Sequence, residues 1–313
     1  VERGLFEPGN SVPRFHLLWG TGYELIRVLK ERLKNHPNRG KLQLCYRHRV
    51  NELTLSNGRV TGLVGLREDS DEPFEAIADA VVIATGGIGG NIEKIQSNWE
   101  PDWGKAPTDI LNGAHRYGLG DLHDASEKIN ANVVNLEKQW NYAAGVRHPQ
   151  ARYENHGLSL VPSKSALWLN YRGERMGPVP LVTGYDTRYL VERICQEEKK
   201  YSWQVLNKTI AYKEFAISGS EHDQAVRDKK LFKFIGNVLF GNRQLVDEML
   251  DTCPDFVTAG NFDELAEKMN ALTGTSDVDP KLLKESVHRY DDQIDRGPAF
   301  HNDEQLRRIA HAR

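Results

Sequence analysis

The sequence contains no long apolar run. Nothing in it approaches the roughly 20 consecutive apolar residues that a membrane helix requires, so no membrane insertion is expected. It has only three cysteines, Cys45, Cys195 and Cys253, far apart along 313 residues. That spacing argues against a disulfide framework and a cysteine-based metal site, and no metal is expected. It fits a reducing, cytoplasmic setting. There is no excess of one charge either. The 41 basic and 44 acidic residues leave a formal net charge of −3, which provides no electrostatic footprint for nucleic acid. No secretory signal pattern is visible. The G-x-G-x-x-G turn that usually marks a dinucleotide-binding unit is also missing.

What is present is an ordinary globular composition, 39% hydrophobic and 27% charged, on a chain long enough for one large domain or two smaller ones. The segment "TGYELIRVLKERLKNH" places Leu25, Val28, Leu29 and Leu33 on one helical face. Asn57-Gly58, between two alternating apolar runs, predicts a β-hairpin. A further short strand, "FEAIA", completes a small meander. "ADAVVIAT" then reads as a strand covered on both faces, with Val81–Ala84 at its centre. It runs into "GGIGGN", four glycines in five positions. Glycines after an apolar strand let backbone N–H groups crowd around an anion, so this turn points to a phosphate.

Beyond it a short helix over "IEKIQSNW" and a second one from Gly120-Asp121 are expected. From about Leu136 aromatics thicken and a second domain begins. "SALWLNYRGERM" predicts a hairpin with Arg172-Gly173 at its turn. "FDELAEKMNAL" and "DPKLLKESVHRYDDQID" predict amphipathic helices, capped by Asn261 or Asp263 and by Asp279 followed by Pro280. "SWQVLNKTIAYKEFAISGSEHD" reads as a helix ending in a Ser-Gly-Ser turn.

The order of these segments resembles the FAD-dependent flavoproteins of the fumarate reductase and succinate dehydrogenase superfamily, nearest to its 3-ketosteroid-dehydrogenase-like branch. "VVIATGGIGGN" resembles the Ala-Thr-Gly-Gly…Asn signature of that family. "YRHRVNELTLSNGRVTGLVGL" resembles its strand and hairpin, "GLGDLHDASEKINANV" its Gly-Asp helix start, and "LWLNYRGERM" its cap hairpin. The resemblance implies an α/β plus α+β fold: a partial FAD-binding, glutathione-reductase-like domain with a β-meander over residues 1–135, a cap over 136–295, and a return segment over 296–313. It implies FAD as cofactor, with contacts from Val50, Thr85, Gly86, Gly87, Asn91 and Asp121. It implies a flavin-dependent oxidoreductase that moves a hydride between FAD and a C–C bond next to a carbonyl, on a small steroid- or enone-like substrate. In the cap, Tyr142 and Tyr185 are the candidates to polarise a carbonyl or carry a proton, and Arg188 corresponds to the proton-donating arginine of the reductases.

Several family segments have no counterpart here. The first glycine motif and the closing flavin segment are not found, so the chain is expected to be the central part of a longer flavoprotein that holds FAD weakly alone. An uncovered flavin face would then be open or set against a second copy. An inactive fragment and a nicotinamide-dependent Rossmann oxidoreductase are the alternative readings.

Overall fold

A computed structural model describes residues 18–177, 187–219 and 221–311. The fold is mixed α/β with small antiparallel sheets. Helix α1 (Thr21–Lys34) comes first, then strands β1 (His48–Ser56), β2 (Arg59–Arg67) and β3 (Pro73–Ile77), and helices α2 (Ile92–Ser97) and α3 (Asp121–Lys128). Strands β4 (Gly145–Arg147), β5 (Gly157–Val161) and β6 (Leu167–Leu169), helix α4 (Thr187–Cys195), strand β7 (Trp203–Val205), helix α5 (Lys208–Glu214) and strand β8 (Ala216–Ile217) follow. Helices α6 (Gln224–Arg227), α7 (Leu231–Phe240), α8 (Arg243–Thr252), α9 (Phe262–Thr273), α10 (Pro280–Asp295) and α11 (Glu304–His311) complete the order. The chain divides into a smaller unit, residues 29–102 and 114–140, and a larger one that takes the residues up to 28, 103–113 and those from 141 on.

In the smaller unit β1, β2 and β3 form the expected antiparallel meander. The two-residue turn between the paired Ser56 and Arg59 has positive φ at both Asn57 (51°) and Gly58 (74°), the backbone that an Asn-Gly hairpin favours. Ile88, Ile95, Leu122 and Ala125 are its buried apolar side chains among the described residues. The strand expected through Val81–Ala84 is not formed. That stretch has no regular structure, and Val82 is 88% exposed. A covered strand needs neighbours on both edges and cover on both faces, and no described strand lies beside it. The β-branched run states a demand for burial that the described residues do not meet. The apolar face of α1 is in the same position: Leu25, Leu29 and Leu33 are all exposed.

The larger unit has two apolar cores on either side of the β6–β7 ribbon. Trp168 on β6 joins Leu160, Ile217, Leu190 and Met249 in one core. Its neighbours Leu167 and Leu169 join Met269, Leu283 and Tyr290 in the other. Strand residues alternate faces, so three consecutive apolar residues serve two cores at once. Asn261 caps α9 through Glu264 N–H at 2.9 Å, and Asp279 caps α10 with Pro280 at its first position. The predicted hairpin turn is present. Asn170 Oδ1 accepts the N–H groups of Arg172 and Glu174, both at 3.0 Å, and Gly173 has φ of 86°. The segment read as one helix from Ser202 instead starts as β7, and only Lys208–Glu214 is helical. Three strand residues are too few to show a period.

Among the described residues of the segment expected as a return, Asp303 and Gln305 bond within this larger unit. Asp303, almost wholly buried, accepts from Arg175 Nη1 at 2.6 Å and Nη2 at 3.2 Å, and its Oδ1 also accepts the N–H groups of Gln305 and Leu306 at the start of α11. The Arg175 guanidinium lies 4.7 Å from the Tyr290 ring centre, and burial pushes the Tyr290 phenol up to about 12. Removing one member of a buried pair strands the other charge and costs about 3–5 kcal/mol. Asp303→Ala is therefore expected to lower the melting temperature sharply, by more than any exposed pair such as Arg289–Glu285 would on loss of one partner; differential scanning calorimetry of both variants checks this.

Glu24 accepts from Arg27 and from Lys229, each at 2.7 Å, and these cations hold its carboxyl down from an ordinary 4.5 to about 2. A depressed carboxylate stabilises above its ordinary pKa and loses that contribution as pH falls through the folded value. The link between α1 and Lys229 is expected to weaken between about pH 4.5 and pH 2. Thermal melts across that window should show a smaller acid slope in Glu24→Gln than in the unaltered chain.

Candidate functional site

The turn from Ala84 to Asn91 uses its four glycines in two ways. At Gly86 and Gly87 an added Cβ would meet nothing within 4 Å. Gly86 has φ of 80°, a conformation glycine adopts without steric cost. None of the backbone N–H groups from Ala84 to Gly89 donates to a partner among the described residues. Gly86 and Gly87 are both exposed, so the donors of these two residues are open to solvent, as a phosphate cradle requires. Gly89 and Gly90 serve packing instead. A Cβ on Gly89 would lie 3.0 Å from that of Ala114, and one on Gly90 only 2.7 Å from the carbonyl oxygens of His115 and Arg116. The Gly90 N–H donates to Gly118 O at 2.9 Å, which locks the end of the turn to the segment ahead of α3.

Asn91 caps α2, its Oδ1 accepting Lys94 N–H at 3.0 Å. On the other side, Gly120 begins α3 with φ of 77°, and a Cβ there would lie 2.8 Å from Ile88 Cγ2. Asp121 opens α3. Its Oδ2 accepts from Arg49 Nη2 at 2.7 Å, beside Val50 on β1. The N–H groups of Asp121 and Leu122 have no acceptor among the described residues. Val50, Thr85, Gly86, Gly87, Asn91 and Asp121 are thus tied into one neighbourhood, by Ile88 against Gly120 and by Arg49 against Asp121. Its charges are balanced locally: Arg49 neutralises Asp121, and Lys94 holds Asp124 at 2.6 Å. The donors left over in this neighbourhood are peptide N–H groups of the turn and of the α3 N-terminus.

Gly120-Asp121 was read as a helix start, and it opens α3; Arg49, Lys94 and Gly118 were not singled out in the sequence. The Gly118-x-Gly120-Asp121 spacing carried a signal for Gly118. Arg49 had none, because its partner is 72 residues away.

Two of the three catalytic candidates belong to the larger unit. Tyr142 is an exposed residue in the loop before β4, in the larger unit. Arg188 is the second residue of α4, with its guanidinium carbon 5.0 Å from the Trp103 ring centre. Tyr185 lies outside the described residues. His148 and His156 stack on each other with centroids 4.1 Å apart, and burial, with the neighbouring His148 and Arg152, pushes the His156 pKa down.

The profile of one protein family, described as an FAD binding domain, matches residues 4–310. The chain belongs to this FAD-binding family. FAD is the family's cofactor, and the open N–H groups at Gly86 and Gly87 fit its pyrophosphate. Among curated proteins, a KsdD-like steroid dehydrogenase of Mycolicibacterium smegmatis is 34% identical over 100% of this chain and 59% of its own length. A KsdD-like steroid dehydrogenase of Mycobacterium tuberculosis is 34% identical over 94% of this chain and 54% of its own. A urocanate reductase of Eggerthella lenta is 26% identical over 85% of this chain and 40% of its own. The chain thus spans somewhat over half the length of the steroid dehydrogenases it matches. No helix among the described residues is long and apolar enough to cross a membrane.

The two roles of the glycines separate in mutants. Gly90→Ala forces a methyl group against two backbone carbonyls and is expected to destabilise by about 1–3 kcal/mol. Gly87→Ala meets open space, so its melting temperature should match or slightly exceed that of the unaltered chain. Equal destabilisation by both, read by thermal melting, would contradict this division.

Proposed function

We propose that the whole protein to which this chain belongs is an FAD-dependent oxidoreductase that moves a hydride between FAD and a C–C bond adjacent to a carbonyl, on a steroid- or enone-like substrate. The observation that carries the cofactor half of this reading is the set of unpartnered N–H groups at Gly86 and Gly87 beside a charge-balanced helix start. The names of the steroid dehydrogenase relatives support the substrate half. The smaller unit is read as the portion of a glutathione-reductase-like FAD domain that carries the meander, and the larger unit from residue 141 as the cap that brings the substrate.

Bound FAD supplies the hydride chemistry. The chain supplies binding and proton handling. Thr85, Gly86 and Gly87 would hold phosphate oxygens, the backbone around Val50 would meet the adenine, and Asn91 and Asp121 fix the turn and helix start between them. Tyr142 is proposed to donate its phenol hydrogen to the substrate carbonyl oxygen, which polarises the adjacent carbons. Tyr185 and Arg188 are its proposed companions, one as proton carrier and the other as cationic donor.

Equilibrium dialysis with FAD tests the cofactor half. A Cβ at residue 87 keeps a phosphate from the N–H groups, and loss of one charge-assisted hydrogen bond costs about 1.5–3 kcal/mol, tenfold or more in affinity. Gly87→Ala is expected to bind FAD at least about tenfold more weakly with its fold intact. In the full-length protein, Tyr142→Phe is expected to lower turnover of a steroid ketone by about 10²–10⁴-fold, the range for a lost acid or base, with FAD affinity unchanged. Unchanged turnover would remove Tyr142 from the mechanism.

A further inference from the structure

The loop between β4 and β5 carries two histidines, His148 and His156, whose rings stack with centroids 4.1 Å apart and planes 5° from parallel. A backbone N–H can only donate, so a ring nitrogen that receives it must hold a lone pair. Gln150 N–H donates to His148 Nδ1 at 3.0 Å, and Arg152 N–H donates to His156 Nδ1 at 3.2 Å. Both rings are therefore neutral, each with its hydrogen on Nε2. In that tautomer the buried His148 donates to Glu221 Oε2, 3.4 Å from its Nε2.

The same loop holds a segment far from it in sequence. Asn155 O accepts Asn112 N–H at 2.6 Å, and Asn112 O accepts Gly157 N–H at 2.9 Å and Tyr153 Oη at 3.2 Å. Asn112 is itself buried. His148 N–H donates to His156 O at 2.9 Å and closes the loop at its base. The seat of Asn112 thus depends on a loop whose own turn is held by two imidazole lone pairs.

The charged and titratable groups around the pair come from three places. On the loop itself are Arg152, the exposed Glu154, and Tyr153, whose ring centre lies 4.3 Å from that of His156. Arg147, just ahead of His148, is held by Asp255. From the segment before α6, Glu221 pairs with both His148 and Arg152, and His222 lies 5.8 Å from the His148 ring. From α8, Glu248 stands 3.8 Å from His222 Nδ1. Burial, His148 and Arg152 push the His156 pKa down and outweigh Glu221. Among the described residues these acids and histidines do not form a group that could hold a metal ion.

We propose that the stacked pair is a proton-operated latch on this loop: a proton taken up on His156 Nδ1 removes the lone pair that the Arg152 N–H needs, sets a cation against the neighbouring ring, and releases the loop from Asn112. The closed loop binds that proton less well than the open one, in which His156 returns to its ordinary value of 6.5. Closure is therefore complete above that pH and is lost as pH falls below it, by up to about tenfold per pH unit for one proton taken up. Every group named lies in the larger unit, and the latch does not draw on the flavin reading.

Amide hydrogen exchange of the whole 313-residue chain tests this, read by mass spectrometry between about pH 5 and pH 8 and corrected for the chemical pH dependence of exchange. Peptides over 148–157 and 111–113 are expected to lose protection below pH 6.5, by up to about tenfold per pH unit, while peptides of α10 keep theirs. His156→Asn, which keeps an acceptor near the Nδ1 position and takes up no proton, should hold the loop closed with no such fall. His156→Phe, which keeps a flat ring and has no acceptor, should leave the loop unprotected at every pH. Loop protection that does not change with pH would overturn the latch. So would an undiminished fall in His156→Asn, or loss of protection in α10 in step with the loop. The comparison of loop and α10 in the unaltered chain decides the matter if either variant does not fold.

Discussion

The contact of Gly90 with the backbone of His115, Arg116 and Gly118 is the constraint on which the cofactor neighbourhood depends. A chain cannot bring one main-chain segment within hydrogen-bonding distance of another at this point if a Cβ stands between them. Once that approach is made, Ile88 is fixed against Gly120, Gly120 can begin α3 in a left-handed conformation, and Asp121 reaches Arg49 on the meander. The open half of the turn, Gly86 and Gly87, is held in place by the closed half. A ligand-facing backbone that is itself unpaired needs such an anchor, because nothing in its own hydrogen bonding restrains it.

How much of this could be read from the sequence depended on how local each cause was. The Asn57-Gly58 hairpin, the Asn261 and Asp279 caps and the Asn170–Gly173 turn were legible because each rests on the conformational preferences of a few adjacent residues. The glycine turn was legible as a turn. That two of its glycines pack and two face outward was not, since the packing partners of Gly90, His115 to Gly118, lie 25 to 28 residues further on. Arg49 with Asp121 and Arg175 with Asp303 were invisible for the same reason. Strand β7 was lost to brevity: three residues carry no period, and the helical signal of α5 spread over them. The family resemblance reached further than local pattern did, because it reads order along the whole chain, and the family match now rests on residues 4–310.

Val81–Ala84 and the apolar face of α1 show a different kind of legibility. The helix predicted for α1 is formed and the strand predicted through Val81–Ala84 is not, and neither apolar stretch is buried. Hydrophobic periodicity encodes the surface a segment is to be packed against, not the packing itself. Where the described residues supply no such surface, the pattern stands as an unfilled requirement.

The two sets of unpartnered donors differ in what they cost and therefore in how a ligand acts on each. The N–H groups at Gly86 and Gly87 stand in the open, where water satisfies them. They place no burden on the fold, and a bound anion stabilises the protein only by its own affinity and concentration. The donors of Trp168, Trp203 and Gln204 are shielded from water. Their desolvation is a standing penalty, present whether or not anything is bound. Closed to water, these donors are closed to a ligand as well, so their cost is carried by the fold alone and is unchanged by anything bound at the surface.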